Sequence, residues 1–322
     1  TQKIGYTVIS NLVKIRHEAP ILSLDKTKDP AALRAFLGDK KGLLSWKLDG
    51  LTIVLKYKDG KLSQAITRGN GEIGEDVTHN AKVFRNVPLT IPFTGELMLR
   101  GEGVISYAEF NRINEQLGEA EAYKNPRNLC SGTVRQLNSQ IAAQRNVQFF
   151  AFTLVYAHGK ELSDSKQENM LWLKSLGFST VEEVAVTAET VEEAVEDFRS
   201  RIASNDVASD GLVLTFDSIA YSNSLGRTAK FPRDSIAFKW KDETAETILR
   251  QIEWGTSRTG LMNPVAIFDP VELEGSTVSR ASVHNVSVLE ELQLGIGDKI
   301  TVYKANMIIP QIAENLTRSG TA

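Results

Sequence analysis

The sequence predicts an α+β domain of antiparallel sheets flanked by helices, followed by a small all-β barrel. Through residue 241, strand-type alternation and helix-type periodicity are mixed without the regular βαβ order of a doubly wound sheet. From Asp242 onward helix signals thin out, and short strands separated by Gly, Asn and Asp turns take over. A chain of 322 residues that is 42% hydrophobic suffices for one large or two medium cores. The domains are therefore drawn at 1–241 and 242–322.

The elements follow in order. Residues 9–20 read as an approach segment without strong periodicity. Asp29 caps a short helix, Pro30 opens it, Leu33, Phe36 and Leu37 share one face, and Gly38 stops it. Residues 43–67 are strand-like: Leu51, Ile53, Leu55 and Tyr57 alternate with more polar residues, and Asp59-Gly60 signals a hairpin. Ser106 with Glu109 and Thr190 with Glu193 form two capping boxes, predicting helices that run to Gly118 and to about Ile202. A third amphipathic helix spans 168–176 and is closed by Gly177. Apolar strand runs occupy 148–156, 211–216 and 235–240 and, in the second domain, 265–268, 276–281 and 299–304. Short strands of this kind suit an OB-fold.

Composition limits the function classes. A net charge of −3 argues against a uniformly basic nucleic-acid coat but leaves room for a local basic face. The lone Cys130 excludes a disulfide framework or cysteine zinc site and is expected to be a buried small hydrophobe. His79 and His284 lack metal-ligand spacing and are expected to be hydrogen-bonded structural residues. No apolar run approaches the ~20 residues of a membrane span, and the first residues do not resemble a signal peptide. A cytoplasmic monomer with no membrane partner is expected. The ends do not look like natural termini, as in a piece of a longer protein.

Lys47-Leu48-Asp49-Gly50 lies between two strand runs. A lysine beside an acid at a tight strand turn can attack a phosphoanhydride once nearby cations or a metal favour its neutral form. K-x-D-G arises by chance in roughly 7% of chains this long, and a solvated lysine before an Asx turn would look the same. By itself the tetrapeptide decides nothing.

Its company does. Arg16-His-Glu-Ala-Pro-Ile-Leu-Ser-Leu-Asp25 precedes it, and Thr67-Arg-Gly-Asn-Gly-Glu-Ile-Gly-Glu-Asp-Val-Thr-His-Asn80 follows. Then come Arg100-Gly-Glu102, Asn125-Pro-Arg-Asn128, Val134-Arg-Gln-Leu137, Asp210-Gly-Leu-Val213 and Ala237-Phe-Lys239. The barrel adds Ser257-Arg-Thr-Gly260, Ser282-Val-His-Asn285, Gly297-Asp-Lys299 and Ile309-Pro-Gln311. In kind and order these segments resemble the adenylation and OB-fold domains of bacterial NAD⁺-dependent DNA ligases.

The resemblance implies a nucleotidyltransferase domain of the ligase (ATP-grasp-like) type. Lys47 would take AMP from NAD⁺ as a phosphoramidate and pass it to the 5′-phosphate of a nick, after which the 3′-hydroxyl seals the strand. Its partners would be nicked double-stranded DNA and NAD⁺ or AMP, in the bacterial nucleoid, serving replication and repair. Glu102 would hold the ribose, and Arg68 would lie near the AMP phosphate and the nick. Asp49 and Asp210 would sit near the nucleophile and a Mg²⁺ ion, with no fixed protein ligand set. Lys239 would neutralise the phosphate and help depress the pKa of Lys47. Phe152 would stack on adenine, Ser23 and Leu24 would line the pocket mouth, and Leu48 adjoins the nucleophile. Arg127, Arg135, Arg233, Arg258 and Lys299 would contact the DNA backbone. Each of these side chains also has a bland reading as a turn cap, a surface charge or, for Phe152, a core aromatic.

Several positions depart from the family pattern. Ser45 stands where the family has glutamate, Thr215 where it has lysine, and Asn70 where it has aspartate. Lys241 gives a Lys-x-Lys pair like that of ATP-dependent ligases and capping enzymes. Loss of both an acid and a base from the adenine pocket keeps its charge balanced, and predicts weak, poorly base-selective binding through Ser45 and Thr215. The alternative is a nick- or duplex-binding paralogue with weakened or lost nucleotidyl transfer. The family's nicotinamide-mononucleotide-binding domain would precede this chain. Its zinc-finger (Zn²⁺-bearing), helix-hairpin-helix and BRCT domains would follow it.

Overall fold

Asp29 accepts a hydrogen bond from the Ala31 amide, Pro30 fills the first turn, and Gly38 ends the helix at φ 57°. The local signals thus become helix α1 (Pro30–Leu37), which follows strands β1 (Lys14–Arg16) and β2 (Asp25–Thr27). The computed structural model describes residues 7–117, 122–256, 262–273, 276–305 and 309–320. The chain separates into two units, Thr1–Lys239 and Trp240–Ala322.

In the first unit the predicted strand region becomes β3 (Gly42–Leu48), β4 (Leu51–Lys58) and β5 (Lys61–Thr67). Asp59 and Gly60 turn the hairpin with φ of 50° and 71°, as a type I′ turn requires. After β6 (Ile73–Glu75) and α2 (Thr78–Ala81) come β7 (Leu97–Val104), α3 (Tyr107–Leu117), α4 (Pro126–Val134), α5 (Ser139–Gln144) and β8 (Gln148–Ala157). Then follow α6 (Lys166–Ser175), β9 (Glu183–Val186), α7 (Val191–Arg201), β10 (Ser209–Phe216), α8 (Ile219–Leu225) and β11 (Ser235–Phe238).

One sheet has the order β2-β11-β10-β3-β9 and a second the order β5-β4-β7-β8, while β1 and β6 form a separate pair. Only β2–β11 is parallel in these three sheets. A main core under the second sheet gathers Ile53, Leu55, Leu99 and Phe149 with Leu129, Met170 and Leu173 from α4 and α6.

Several expectations need correction. The Ser106–Glu109 cap forms at 3.3 Å, but the proposed stop at Gly118 lies outside the described residues. The Thr190–Glu193 box does not form: Thr190 Oγ1 accepts from the Thr187 amide instead, although the helix starts where expected. The third helix begins at Lys166, because Ser165 caps it by accepting from the Glu168 amide. The last predicted strand stops at Phe238, before Trp240.

In the second unit β12 (Thr244–Thr256), β13 (Met262–Leu273), β14 (Ser276–Ser282), β15 (Lys299–Ala305) and β16 (Ile309–Asn315) form one antiparallel sheet in the order β14-β13-β12-β15-β16. Helix α9 (Val286–Glu291) joins β14 to β15. The first part of β12 pairs with β15 and the rest with β13, so this strand bends from one half of the sheet to the other. Leu249, Phe268, Ile300 and Val302 pack as its core.

Candidate active site

Lys47 is the penultimate residue of β3, next to the Asp49-Gly50 link, and its Nζ donates to Asp210 Oδ1 at 2.7 Å. Lys239 Nζ donates to the other oxygen, Oδ2, at 3.2 Å. Asp210 points here because β10 is bulged: Ser209 pairs with Leu48 but Leu212 with Trp46. The bulge needs glycine next. Gly211 has φ 142°, and a Cβ there would lie 2.2 Å from the Phe238 carbonyl. The Asp-Gly pair therefore aims a carboxylate at two lysines that are otherwise remote in sequence.

Glu102 reaches the same place from β7. Its Oε1 accepts from the Gly50 amide at 3.1 Å and its Oε2 from the Thr52 hydroxyl at 2.9 Å. Burial pushes its pKa up to about 7, despite the two hydrogen bonds and the Lys47 charge that favour the carboxylate. Asp49 is raised too, first by burial and then by the Asp210 charge, against the lowering effects of Arg127 and Lys47. Lys47, Asp49, Asp210 and Glu102 thus share one electrostatic neighbourhood.

An open cleft of about 490 Å³ adjoins Glu102 and is lined by Thr52, Arg68, Arg127, Arg135 and Lys14. Arg127 Nη1 donates to Asp49 Oδ1 at 3.1 Å. Arg68 donates to Ser23 Oγ at 2.9 Å and to the Ile21 carbonyl at 3.3 Å, which ties the N-terminal segment to the hairpin. Arg135 is held by both oxygens of Glu75, at 2.6 and 2.9 Å.

Register orders the rest of the sheet. Val213 pairs with Ser45, Ala237 with Val213, Leu43 with Thr215 and Ser235 with Thr215, so Ser45, Lys47, Val213 and Thr215 share one face. Trp46 goes to the other face, where its ring meets Phe198 edge-on. The Thr215 hydroxyl is turned toward β11, bonded to the Asp234 carbonyl at 3.2 Å and to the Ser235 hydroxyl. On β8, Phe150 is opposite Glu102, Ala151 is in the core, and the half-buried Phe152 is the extra residue of a bulge between the Gly101–Ala151 and Arg100–Thr153 pairs.

The profile of the NAD-dependent DNA ligase adenylation domain matches residues 9–243, and that of the NAD-dependent DNA ligase OB-fold domain matches residues 246–322. This chain belongs to the NAD-dependent DNA ligase family. It is 64% identical over 321 residues to the DNA ligase of Lachnoclostridium phytofermentans, covering 99% of this chain and 49% of the relative. To the DNA ligase of Ruminiclostridium cellulolyticum it is 62% identical over 320 residues, with the same coverage. To that of Oceanobacillus iheyensis it is 38% identical over 329 residues, covering 98% and 49%. The chain spans about half the length of the curated relatives it matches. Its first unit is the family's adenylation domain and its second the OB-fold domain.

The other expected site residues of this chain are more dispersed. Leu48 and Leu24 are half-buried and Ser23 is exposed. Arg233 is exposed in the stretch between α8 and β11. Lys241 is exposed and falls in the second unit, as does Lys299, which pairs with Glu246. Arg258 lies outside the described residues. His79 bonds the Gln136 carbonyl at 2.7 Å and His284 bonds Gln311 at 3.0 Å. Cys130 is buried, its thiol donates to the Gly103 carbonyl at 3.1 Å, and burial pushes its pKa up. Among the described residues no helix is long and apolar enough to cross a membrane. Sequence reasoning missed Thr52, which holds Glu102, and Lys14 in the basic cleft. Thr52 lies in a strand of ordinary alternation and Lys14 in a segment without strong periodicity, and only the pairing of β4 with β7 and of β1 with β6 brings them in.

Proposed function

We propose that this chain is the nucleotidyl-transfer core of an NAD⁺-dependent ligase of nicked duplex DNA, with Lys47 as its covalent nucleophile. The observation that carries this reading is the sharing of Asp210 by Lys47 and Lys239, with Glu102 within electrostatic reach of Lys47. Lys47 Nζ forms a bond to the phosphorus of the AMP half of NAD⁺ as the pyrophosphate P–O bond breaks and nicotinamide mononucleotide leaves. The amine gives up its proton, and Asp210, at 2.7 Å, is placed to accept it. A 5′-phosphate oxygen of the nick then displaces Lys47 from phosphorus. Finally the 3′-hydroxyl attacks that 5′-phosphate and AMP departs.

Each transfer gathers negative charge on phosphoryl oxygens, and Lys239 and Arg68 are the cations assigned to meet it. Glu102 accepts from the ribose hydroxyls, and Phe152 stacks on the base. The donor chemistry suits Mg²⁺, which takes one or two carboxylates plus substrate phosphates. Asp49 and Asp210 would hold it, and it would supply further charge neutralisation at the phosphates. Arg127, Arg135, Arg233, Arg258 and Lys299 are assigned to the DNA backbone, which a sequence-independent enzyme reads by charge and shape.

The test is intact-mass measurement after prolonged incubation with NAD⁺ and Mg²⁺. The parent should gain the mass of AMP and Lys47→Ala should not. Labelling that persists in the variant overturns the assignment.

A further inference from the structure

Two charged side chains, Glu183 and Lys166, have no part in the reaction above. Glu183 opens β9 and is in register with Ser45. Directly paired residues place their side chains on one face, with Cβ atoms ~5 Å apart. Glu183 therefore shares the face of Ser45 and Lys47. Its neighbour Glu182 goes the other way, accepting from the Trp46 indole at 3.0 Å.

The segment leading into β9 also stitches the two sheets together. The Ala151 amide donates to the Ser179 carbonyl, and the Val181 amide to the Ala151 carbonyl, both at 2.9 Å. Ala151 immediately precedes Phe152. Glu183 thus stands at the crossing, between Ser45 on one sheet and Phe152 on the other.

Lys166 enters from the first turn of α6, where its amide donates to the Asp217 carbonyl at 2.8 Å. Burial lowers its pKa, and the charge that most offsets this is Glu183, ahead of Asp234 and Asp217. Burial raises Glu183 in turn, and Lys166 is its foremost offset. Asp217 is already engaged by the Ser165 hydroxyl, the Gln167 amide and Lys41, and Asp234 by the Ser235 hydroxyl. Among the described residues, the side chains of Lys166 and Glu183 have no hydrogen-bond or ion-pair partner. A half-buried cation and anion are thus mutually offset without being bonded to each other.

We propose that Lys166 and Glu183 read the edge of the purine base in the Lys47 pocket, supplying from α6 and β9 the base and acid that positions 45 and 215 lack. This rests on the nucleotidyl-transfer reading above. An ammonium donor beside a carboxylate acceptor matches the N1 acceptor and exocyclic amine of adenine. Guanine presents acceptor and donor in the reverse order along that edge, so a fixed pair discriminates between the two. Ser45, in register with Glu183, has a short side chain, and Thr215 is already committed to Asp234 and Ser235. Selective binding is then expected, not the weak and unselective binding that Ser45 and Thr215 alone imply.

Calorimetry of the 322-residue chain with AMP, GMP and purine riboside monophosphate (which lacks the exocyclic amine) tests this, with thermal melts to check folding. The parent should prefer AMP to both. Lys166→Met and Glu183→Gln should each weaken AMP binding and reduce the AMP/GMP ratio by about tenfold. Lys166→Arg should retain more of both than Lys166→Met. Ser45→Glu with Thr215→Lys should gain nothing, because a second carboxylate would face Glu183 across the strand pair. If Glu102→Ala weakens AMP binding while Lys166→Met and Glu183→Gln leave the ratio unchanged, this inference alone fails. Equal binding of AMP and purine riboside monophosphate by the parent also overturns it without using a variant. A parent that neither binds AMP nor acquires it at Lys47 overturns this inference together with the reading of the site.

Discussion

Glu102→Gln should make this protein more stable at alkaline pH while weakening its hold on nucleotide. Glu102 is 8% exposed, and its pKa is pushed from the ordinary 4.5 up to about 7, mainly by burial. Below 4.5 the folded and unfolded chains both carry the proton. Between 4.5 and about 7 the unfolded chain releases it and the folded chain keeps it, so stability falls as pH rises. Above that window the cost levels off. At about 1.4 kcal/mol per tenfold change in proton affinity, it amounts to about 3 kcal/mol. Glutamine removes the charge yet can still accept from Gly50 and donate to Thr52. The variant should match the parent at the acid end and exceed it by up to ~3 kcal/mol near pH 8, or roughly 6–12 °C in melting temperature for a unit of this size. Thermal or urea melts near pH 5 and near pH 8 read the difference directly. A gap between variant and parent that does not widen with pH, or a variant less stable than the parent near pH 8, would refute the reasoning. The same substitution should weaken AMP binding, because a neutral amide accepts ribose hydroxyls less well than a carboxylate.

Asp210→Asn should slow Lys47 adenylylation by at least ~100-fold with the fold intact; a single-turnover rate within a few fold of the parent would remove Asp210 from the proton path. Arg127→Ala should weaken nicked-duplex binding and reduce the slope of log affinity against log salt by about 1, as measured by titration at several salt concentrations. An unchanged slope would assign Arg127 to Asp49 alone. Gly50→Ala should destabilise the first unit by 2 kcal/mol or more in a thermal melt, since its Cβ would lie 2.0 Å from the Gly103 carbonyl.

How far the sequence discloses the fold depends on the range of each signal. Helix α1 and the Asp59-Gly60 hairpin are readable because cap, proline and turn glycine act within a few residues. Thr190 misleads because its hydroxyl has a competing local partner, the Thr187 amide. Helix α4 carries its own signals, with Asn125 as cap accepting from the Asn128 amide and Pro126 in the first turn. The same residues form the motif Asn125-Pro-Arg-Asn128, which hides them as a helix start. The site is less readable. Lys47 and Asp210 are 163 positions apart, and their meeting depends on the β3–β10 register and its bulge. Only resemblance to a family joined them in advance. Glu183 and Lys166 lie outside every motif, and nothing local ties them to Ser45 before β9 is paired with β3.

The register also gives the spacing in Lys47-Leu48-Asp49-Gly50 a physical meaning. The two residues between β3 and β4 carry the chain from one sheet to the other, and each is fixed at the crossing. The Asp49 amide donates to the Ala208 carbonyl at 2.8 Å, on the side of the Lys47 sheet. The Gly50 amide donates to Glu102 at 3.1 Å, on the side of the Glu102 sheet. Gly50 must lack a side chain because the Gly103 backbone occupies that space. Thr52 then falls opposite Glu102, two residues after a glycine that already holds the same carboxylate. A one-residue slip of β4 against β7 would reverse its side chains, sending Thr52 into the core and Ile53 into the cleft. The tetrapeptide therefore does more than present Lys47. It sets the distance and phase between the sheet that carries Lys47 and the sheet that carries Glu102, and the proposed transfer of a nucleotide held by one to an amine on the other requires both to be right.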